Sequence, residues 1–326
     1  MIDSPALLEV TDLTKHYPVR GSMLRRTIGQ VYAVNGVSLT LGVGETLGLV
    51  GESGCGKSTV ARSIMRIVQP TSGTIRLNGD DITRLGKAEM RPYRRSMQIV
   101  FQDPFASLNG RMRAGDIVAE PLGVHGIATG KAKQERVAEL FEQVGLRPDQ
   151  MQNFPHQFSG GQRQRICIAR ALALGPSLLV CDEPVSALDV SIQAQVINLL
   201  IDLQRARGLS YLFIAHDLAV VAHISHRIAV MYLGRIVEIA DKADLFASPK
   251  HPYTQALLAA VPVADPKKKN TAPLIEGDVP SPINPPSGCA FHTRCRYVMD
   301  RCRIETPKLK DTGPRHQAAC FLNEGG

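Results

Sequence analysis

The chain has 326 residues, 44% of them hydrophobic, and carries a formal net charge of +8. This length is ample for a hydrophobic core and predicts one large domain with an appendage. No signal-peptide pattern opens the chain, and no uninterrupted apolar stretch approaches ~20 residues. We therefore expect a protein that is neither secreted nor membrane-spanning.

The first part of the chain predicts strands. Residues 7–50 alternate short apolar runs with Gly and Asp turns, which is typical of an antiparallel layer. Residues 74–82 predict a strand, a turn and the start of another strand.

A glycine-rich loop lies between a predicted strand, Thr46–Val50, and a predicted helix, Ser58–Val68. Its glycines allow backbone N–H groups to approach phosphate oxygens closely, and the helix N-terminus adds partial positive charge. In such a P-loop, Lys57 would reach the terminal phosphates and the Ser58 hydroxyl would bind Mg²⁺. The candidate nucleotide-binding residues here are Gly51, Glu52, Ser53, Gly54, Cys55, Gly56, Lys57, Ser58 and Thr59.

Helices dominate the middle of the chain. A predicted strand, Met97–Phe101, is followed directly by Gln102. Residues from about 103 to 164 are then mainly predicted helix, and Lys131–Val144 is strongly periodic.

A second small-residue loop precedes another predicted helix, Arg163–Leu174. It consists of Ser159, Gly160, Gly161 and Gln162, with Ser159 as a favourable N-cap residue. By itself this loop is a weak signal, but it lies downstream of a P-loop and just upstream of an apolar strand that ends in two acids.

That predicted strand, Leu178–Cys181, is followed by Asp182 and Glu183. Ligands bind beyond the carboxyl ends of strands in open parallel sheets, so both acids are expected to face the phosphates. Adjacent carboxylates at a buried strand end need a cation, which a Mg²⁺–nucleotide complex supplies.

A last predicted strand, Tyr211–Ala215, ends at His216, and a lone histidine in such a place is more often structural or solvated.

Taken together, these motifs resemble those of ATP-binding-cassette (ABC) ATPases, in the family order. Ser159–Gln162 followed by Arg163 resembles the signature motif, with Phe158 where the family consensus has leucine. The resemblance implies an α/β P-loop NTPase fold with a RecA-like core, an antiparallel β layer and a helical subdomain at about 103–164. It places this cassette at residues 1–262 and a small Cys-containing C-terminal extension at residues 263–326.

The resemblance also implies roles for single residues. Glu183 would polarise the attacking water, and Gln102 and Asp182 would join Ser58 around Mg²⁺. His216 would hydrogen-bond the γ-phosphate, and Tyr17 would stack on adenine, although His16 and Tyr32 also offer π faces nearby. The matching D-loop residues are Ser186, Ala187, Leu188 and Asp189.

One P-loop and one signature occur in the chain, with no internal repeat of either. In the family, ATP lies between the P-loop of one subunit and the signature loop of another. The resemblance therefore implies ATP and Mg²⁺ as cofactors and a second cassette, identical or homologous, as partner.

The C-terminal extension holds four cysteines, Cys289, Cys295, Cys302 and Cys320, spaced C-x5-C-x6-C-x17-C. A disulfide framework does not fit a cytosolic chain, and a structural zinc site usually opens with C-x2-4-C. An iron–sulfur cluster, a zinc site with less usual spacing and unligated buried cysteines all stay open.

The same region resembles the C-terminal part of dipeptide/oligopeptide permease ATP-binding subunits, a branch that includes nickel and glutathione importers. The segments that carry this resemblance are Ser281–Pro286, Gly288–Phe291 and His251–Leu257. It implies a [4Fe–4S] cluster on the four cysteines.

Two classes of function follow. The favoured one is the ATP-hydrolysing subunit of a peptide importer, peripheral on the cytoplasmic face of the cell membrane. Its partners would be two integral membrane permease subunits and, indirectly, an extracytoplasmic substrate-binding protein, with no nucleic acid. The alternative is a soluble ABC ATPase acting on nucleic acid or ribosomes, against which stand the single cassette and the lack of a heptad array or a stacking platform.

Overall fold

The computed structural model describes residues 6–20, 27–260 and 277–324. The strands are β1 (Ala6–Arg20), β2 (Thr27–Gly42), β3 (Thr46–Val50), β4 (Ser72–Leu77), β5 (Asp80–Asp81), β6 (Met97–Val100), β7 (Leu178–Asp182), β8 (Ser210–Ala215), β9 (Arg227–Tyr232), β10 (Arg235–Asp241), β11 (Lys310–Gly313) and β12 (His316–Ala318). The α-helices are α1 (Lys57–Ile64), α2 (Met90–Ser96), α3 (Pro104–Ser107), α4 (Ala114–Val124), α5 (Gly130–Gln143), α6 (Gly160–Leu172), α7 (Val190–Arg207), α8 (Leu218–Ile224), α9 (Lys242–Ala247), α10 (Pro252–Ala259) and α11 (Asp300–Ile304). The predicted domain boundary between residues 262 and 263 lies outside the described residues.

Contacts between Cα atoms divide the chain into two compact units. The first unit consists, in its described part, of residues 6–7, 41–46 and 77–214. The second unit contains the remaining described residues, including the P-loop and the C-terminal extension.

A parallel arrangement of β6, β7 and β8 lies at the centre of the first unit. Leu178 of β7 pairs with Met97 of β6 on one side and with Ser210 of β8 on the other. Every residue of β7 and β8 is buried, which explains why both strands are short apolar runs rather than alternating ones. Such pairing brings the residues that follow β6 and β7 to the same edge of the sheet.

The helical part of the first unit follows the predicted pattern. The helix expected over Lys131–Val144 is α5, and its buried residues Val137, Leu140 and Phe141 recur at the spacing of one helix face. The predicted strand, turn and re-entry at 74–82 is observed as β4 and β5.

Helix α1, by contrast, is shorter than the predicted Ser58–Val68. It ends at Ile64, and Arg66, two residues further on, has a left-handed φ of 53°. An L-residue in this conformation cannot continue a right-handed helix. No glycine marks this end, so the sequence contained no stop signal there.

The second unit has a parallel pair of strands, β3 and β9, in which Leu47 pairs with Arg227 and Val50 with Val230. Strand β10 turns back antiparallel on β9, and β12 and then β11 follow it in antiparallel pairs. The C-terminal extension thus adds two strands to this part of the sheet. The strands β2, β1 and β4 lie side by side in a separate sheet.

A buried carboxylate fastens the C-terminal extension to β10. Glu238 is fully buried, and its carboxylate accepts hydrogen bonds from the backbone N–H groups of Lys250 (2.6 Å) and His251 (2.9 Å). The imidazole Nε2 of His316, in β12, lies 2.7 Å from the same carboxylate. Because a buried charge is tolerated only with such partners, these three groups together make the site of Glu238 stable.

Within the residues that the structure describes, no helix has the length and hydrophobicity needed to cross a bilayer.

We expect Gly48→Ala to destabilise the second unit. A Cβ atom at Gly48, in β3, would lie 2.1 Å from Val221 Cγ1 of α8 and 2.6 Å from Oγ of Ser225, the residue that follows α8. Such overpacking costs about 1–3 kcal/mol, which a lower midpoint of urea unfolding would report. The matched control is Gly123→Ala in α4, where a Cβ meets nothing within 4 Å and helix propensity favours alanine. Equal midpoints for the two variants would contradict the packing described for β3 against α8.

Candidate functional site

The P-loop brings its backbone unusually close to neighbouring strands. A Cβ atom at Gly51 would lie 2.1 Å from the carbonyl oxygen of Met231, and one at Gly56 would lie 2.0 Å from that of Ala33. Gly56 also has φ = 107° and is the N-cap of α1, without a side-chain cap. Only glycine tolerates both the close backbone contact and the positive φ, so the loop is a backbone cradle at a helix N-terminus.

Lys57 is almost fully buried, with 4% of its surface exposed. Its ammonium group donates to the carbonyl oxygens of Gly51 (2.7 Å) and Glu52 (3.0 Å). The lysine side chain thus lies across the loop whose bound phosphates it is predicted to contact. Ser53 and Gly54 at the tip are exposed, whereas Ser58 and Thr59 at the start of α1 are half-buried.

The other predicted site residues of the second unit are His216 and Tyr17. His216 is exposed just after β8, next to Asp217, whose carboxylate caps α8 by accepting from the N–H of Ala219. Tyr17 is half-buried in β1, with the Lys15 ammonium 4.8 Å from its ring centroid. The two other candidates for adenine stacking contact each other instead, since the rings of His16 and Tyr32 lie edge to face at 4.6 Å.

In the first unit, Gln102 and Glu183 lie together after β6 and β7. The amide Nε2 of Gln102 donates to the carboxylate of Glu183 at 3.0 Å. Asp182 is the last residue of β7 and only 2% exposed. The parallel register of the two strands therefore brings together three of the residues predicted to handle Mg²⁺ and water.

Glu183 has a strained backbone. Its φ of 50° lies in the left-handed region, which costs a non-glycine residue of order 1–3 kcal/mol. Its N–H donates to the carbonyl oxygen of Ile214 at 3.0 Å, and its own carbonyl accepts from the Ser186 hydroxyl at 3.0 Å. These bonds fix the direction in which the carboxylate leaves the end of β7.

The signature loop and the D-loop contact each other within the first unit. Ser159 caps α6 in a reciprocal capping box with Gln162, as predicted for this N-cap. A Cβ at Gly161 would lie 2.5 Å from Ile192 Cγ2 of α7, and one at Gly160 would lie 3.4 Å from the Leu188 side chain. The glycines of the signature loop thus let it pack against the residues around the start of α7.

A side chain of α7 holds the D-loop in place. The Gln193 side chain donates to the carbonyl oxygens of Val185 and Leu188, each at 3.0 Å. The structure places Asp189 at the N-cap of α7 and leaves it exposed together with Ala187, while Ser186 is half-buried.

The four predicted cluster cysteines converge in the second unit. Cys289, Cys295, Cys302 and Cys320 line one cavity together with apolar residues that include Phe291 and Phe321. Burial raises the pKa of Cys289 to about 11 and also raises those of Cys295 and Cys320. The neighbouring thiols raise the pKa of Cys289 further, so Cys289, Cys295 and Cys320 are protonated at neutral pH unless a cation compensates them.

This arrangement does not match the expectation of a ready-made metal site. The cavity has a volume of about 10 Å³, which is close to the minimum for a single water molecule. Among the described residues, no group of three or more Cys, His, Asp or Glu side chains has the geometry to hold a metal ion. This cavity is too small for a four-iron cluster, so the residues that line it would have to rearrange before a cluster could bind.

Two family descriptions match the chain. That of the ABC transporter matches residues 34–186, and that of the oligopeptide/dipeptide transporter C-terminal region matches residues 237–302. The chain is 54% identical to the probable peptide ABC transporter ATP-binding protein y4tS of Sinorhizobium fredii, over 98% of this chain and 90% of that protein. It is 51% identical to the oligopeptide transport ATP-binding protein AppF of Bacillus subtilis, over 97% of each.

The chain belongs to the family of ATP-binding subunits of peptide ABC transporters. Its fold is also that of solved ABC cassettes. It is similar to the dimeric cassette MJ0796 bound to ADP and phosphate, with a TM-score of 0.64 and 28% identity over 72% of this chain and 98% of that one. The predicted ABC-type fold is thereby confirmed, and the chain is an ABC-type ATPase.

The structure adds functional candidates that the motifs of this family did not indicate. Arg294 forms an ion pair with the P-loop residue Glu52, at 2.8 Å, and the Tyr253 hydroxyl accepts from the N–H of Glu52 at 3.0 Å. The arginine and glutamate are 242 positions apart, and nothing in either local sequence predicts the pair.

We expect Glu183→Gln to bind ATP and hydrolyse it slowly. The substitution keeps the shape of the side chain and its place beside Gln102 but removes the carboxylate that would polarise water, so kcat should fall about 10²–10⁴-fold. Steady-state ATPase assays and nucleotide-binding titrations measure the two effects separately. The matched control is Glu139→Gln on the exposed face of α5, which should leave kcat unchanged. Unchanged turnover in Glu183→Gln would mean that another residue orients the water.

Proposed function

We propose that this chain binds and hydrolyses ATP jointly with a second ATP-binding subunit and thereby drives peptide import through two membrane permease subunits. The observation that carries the proposal is the similarity of this chain to peptide-transport ATP-binding proteins over nearly its whole length. The backbone geometry of the P-loop at Gly51 and Gly56 supports it.

The phosphates of ATP would lie in the cradle of Gly51–Gly56, where the backbone N–H groups and the N-terminus of α1 favour negative charge. Lys57, which now donates to loop carbonyl oxygens, would exchange these bonds for the terminal phosphates. Ser58, Gln102 and Asp182 would hold Mg²⁺, whose positive charge would compensate the negative charge of the phosphates. Glu183 would orient the attacking water, and His216 would hydrogen-bond the γ-phosphate.

Partner dependence comes from the signature loop. Ser159 is exposed at the N-terminus of α6, and the residues of the loop would contact the nucleotide on the P-loop of the partner subunit. The exposed D-loop residues Ala187 and Asp189 would contact the partner as well. Phosphoryl transfer depends mainly on positioning and charge, so a subunit that completes this set would switch hydrolysis on.

Peptide is proposed as the transported substrate because the relatives carry that name and the match extends through the C-terminal region. The chain would act as a peripheral subunit on the cytoplasmic face of the membrane. Substrate selectivity, among dipeptide, oligopeptide, glutathione or nickel chelate, would lie in the permease and substrate-binding subunits rather than in this chain.

Co-purification from solubilised membranes tests the proposal. We expect tagged protein to recover integral permease subunits, and the complex in proteoliposomes to hydrolyse ATP in response to a peptide-loaded binding protein. Lys57→Ala should assemble equally well but lose turnover, because it removes the positive charge that contacts the phosphates. Recovery of ribosomes or DNA without permease subunits would favour the alternative class instead.

We also propose the [4Fe–4S] cluster on Cys289, Cys295, Cys302 and Cys320, supported by the convergence of the four thiols on one cavity. Iron would bind the four cysteines as thiolates, in place of the thiol protons. Anaerobically purified protein should then show broad visible absorbance and about four irons per chain, both lost in Cys302→Ser, whereas Cys167→Ser in α6 should keep them. A colourless preparation without iron would leave the cysteines as buried thiols.

A further inference from the structure

A residue of the C-terminal extension reaches the P-loop. The guanidinium of Arg294 donates two hydrogen bonds to the carboxylate of Glu52, from Nη1 to Oε2 at 2.8 Å and from Nη2 to Oε1 at 3.1 Å. The Arg294 side chain is 6% exposed and that of Glu52 is 27% exposed. A two-pronged pair in such a sheltered place is stronger and more directional than a surface ion pair.

Aromatic side chains hold the arginine in this position. Its Nη1 lies 3.5 Å from the Tyr232 hydroxyl, and its Cζ lies 5.9 Å from the centroid of the same ring. Phe291, three residues earlier and buried, packs on the rings of Tyr232 at 5.2 Å and Tyr253 at 5.4 Å. Phe291 and Arg294 thus dock this turn of the extension beside the P-loop.

Glu52 is fixed at three of its own groups. Its carboxylate binds Arg294, its backbone N–H donates to the Tyr253 hydroxyl at 3.0 Å, and its carbonyl oxygen accepts from Lys57 at 3.0 Å. Glu52 follows Gly51 directly in the P-loop. Any rotation of this residue would therefore move the backbone N–H groups of the cradle.

The charge of Glu52 is a liability at a phosphate site. An unpaired carboxylate in the loop would repel a nucleotide that carries three to four negative charges, and the repulsion would be large where water is partly excluded. The Arg294 guanidinium carries a permanent positive charge, as arginine does in proteins, and it lies within 3.1 Å of both carboxylate oxygens. The ion pair compensates the negative charge of Glu52 and restricts the rotation of its carboxylate.

We propose that Arg294 is a positioning residue for ATP binding: it neutralises Glu52 and holds the P-loop in its phosphate-binding shape. The C-terminal extension thereby contributes to the nucleotide site of its own chain. The proposal rests on the ATPase function proposed above and goes beyond it, because the motifs of the cassette contain no residue from this extension.

A double-mutant cycle tests the proposal on the full chain, with a fluorescent ATP analogue as the probe. We expect Arg294→Gln to weaken binding roughly tenfold or more, because it leaves the Glu52 charge unpaired. Glu52→Gln alone should cost less affinity than Arg294→Gln, because it removes the two-pronged pair without leaving a negative charge beside the phosphates. The double variant Glu52→Gln with Arg294→Gln should recover most of the affinity, since no unpaired charge remains.

Several readouts separate positioning from a general loss of structure. The affinity lost in Arg294→Gln should be greater for ATP than for ADP, because the repulsion grows with phosphate charge. In the assembled transporter, KM for ATP should rise more than kcat falls. Arg294→Lys keeps the charge without the two-pronged geometry, so its affinity for ATP should lie between those of wild type and Arg294→Gln. The same variant tests the proposal if the glutamine variant does not fold.

The matched control is Arg296→Gln, two residues further on. Arg296 is exposed and contacts the Tyr297 side chain, so its removal should leave ATP affinity unchanged. Wild-type affinity in Arg294→Gln, or a double variant no better than that single one, would overturn the positioning role. If wild-type protein itself failed to bind ATP, the ATPase proposal would fail first, which keeps the two outcomes distinguishable.

Discussion

Nucleotide binding by this chain depends on a close approach between the backbone of residues 51–56 and the backbone of two neighbouring strands. The carbonyl oxygens of Met231 and Ala33 lie where Cβ atoms of Gly51 and Gly56 would be, so the loop can form only without side chains at these two positions. The rest of the second unit follows from this constraint. Strand β3 delivers the chain to the loop, β9 supplies the opposing carbonyl, and α1 begins as soon as the loop ends.

The first unit meets a different requirement, the placement of charge and polar groups at strand ends. Parallel pairing of β6 and β7 alone brings Gln102 within 3.0 Å of Glu183. The strained φ of Glu183 is compensated by its hydrogen bonds to Ile214 and Ser186. Strain of this kind is stable only where the surroundings determine it, which is typical of functional sites.

Much of this could be predicted because buried parallel strands and glycine loops leave local signals. The strand expected at Leu178–Cys181 is observed as β7, one residue longer, and the loop at Ser159 caps α6 as its sequence indicates. The helix after the P-loop was predicted too long, since a left-handed Arg66 ends it without a glycine. Strands β11 and β12 were not predicted, because they are short and polar and form only by pairing with distant β10. For the same reason the Glu52–Arg294 pair has no local signal.

The buried carboxylate of Glu238 has a consequence for how this polypeptide can be shortened. Its imidazole partner, His316, lies ten residues before the chain terminus, within the segment that a minimal cassette would discard. Deleting that segment would leave the buried Glu238 side chain with the two backbone N–H groups of Lys250 and His251 but without its imidazole partner. The segment that carries His316 is therefore an integral part of the second unit rather than a detachable module.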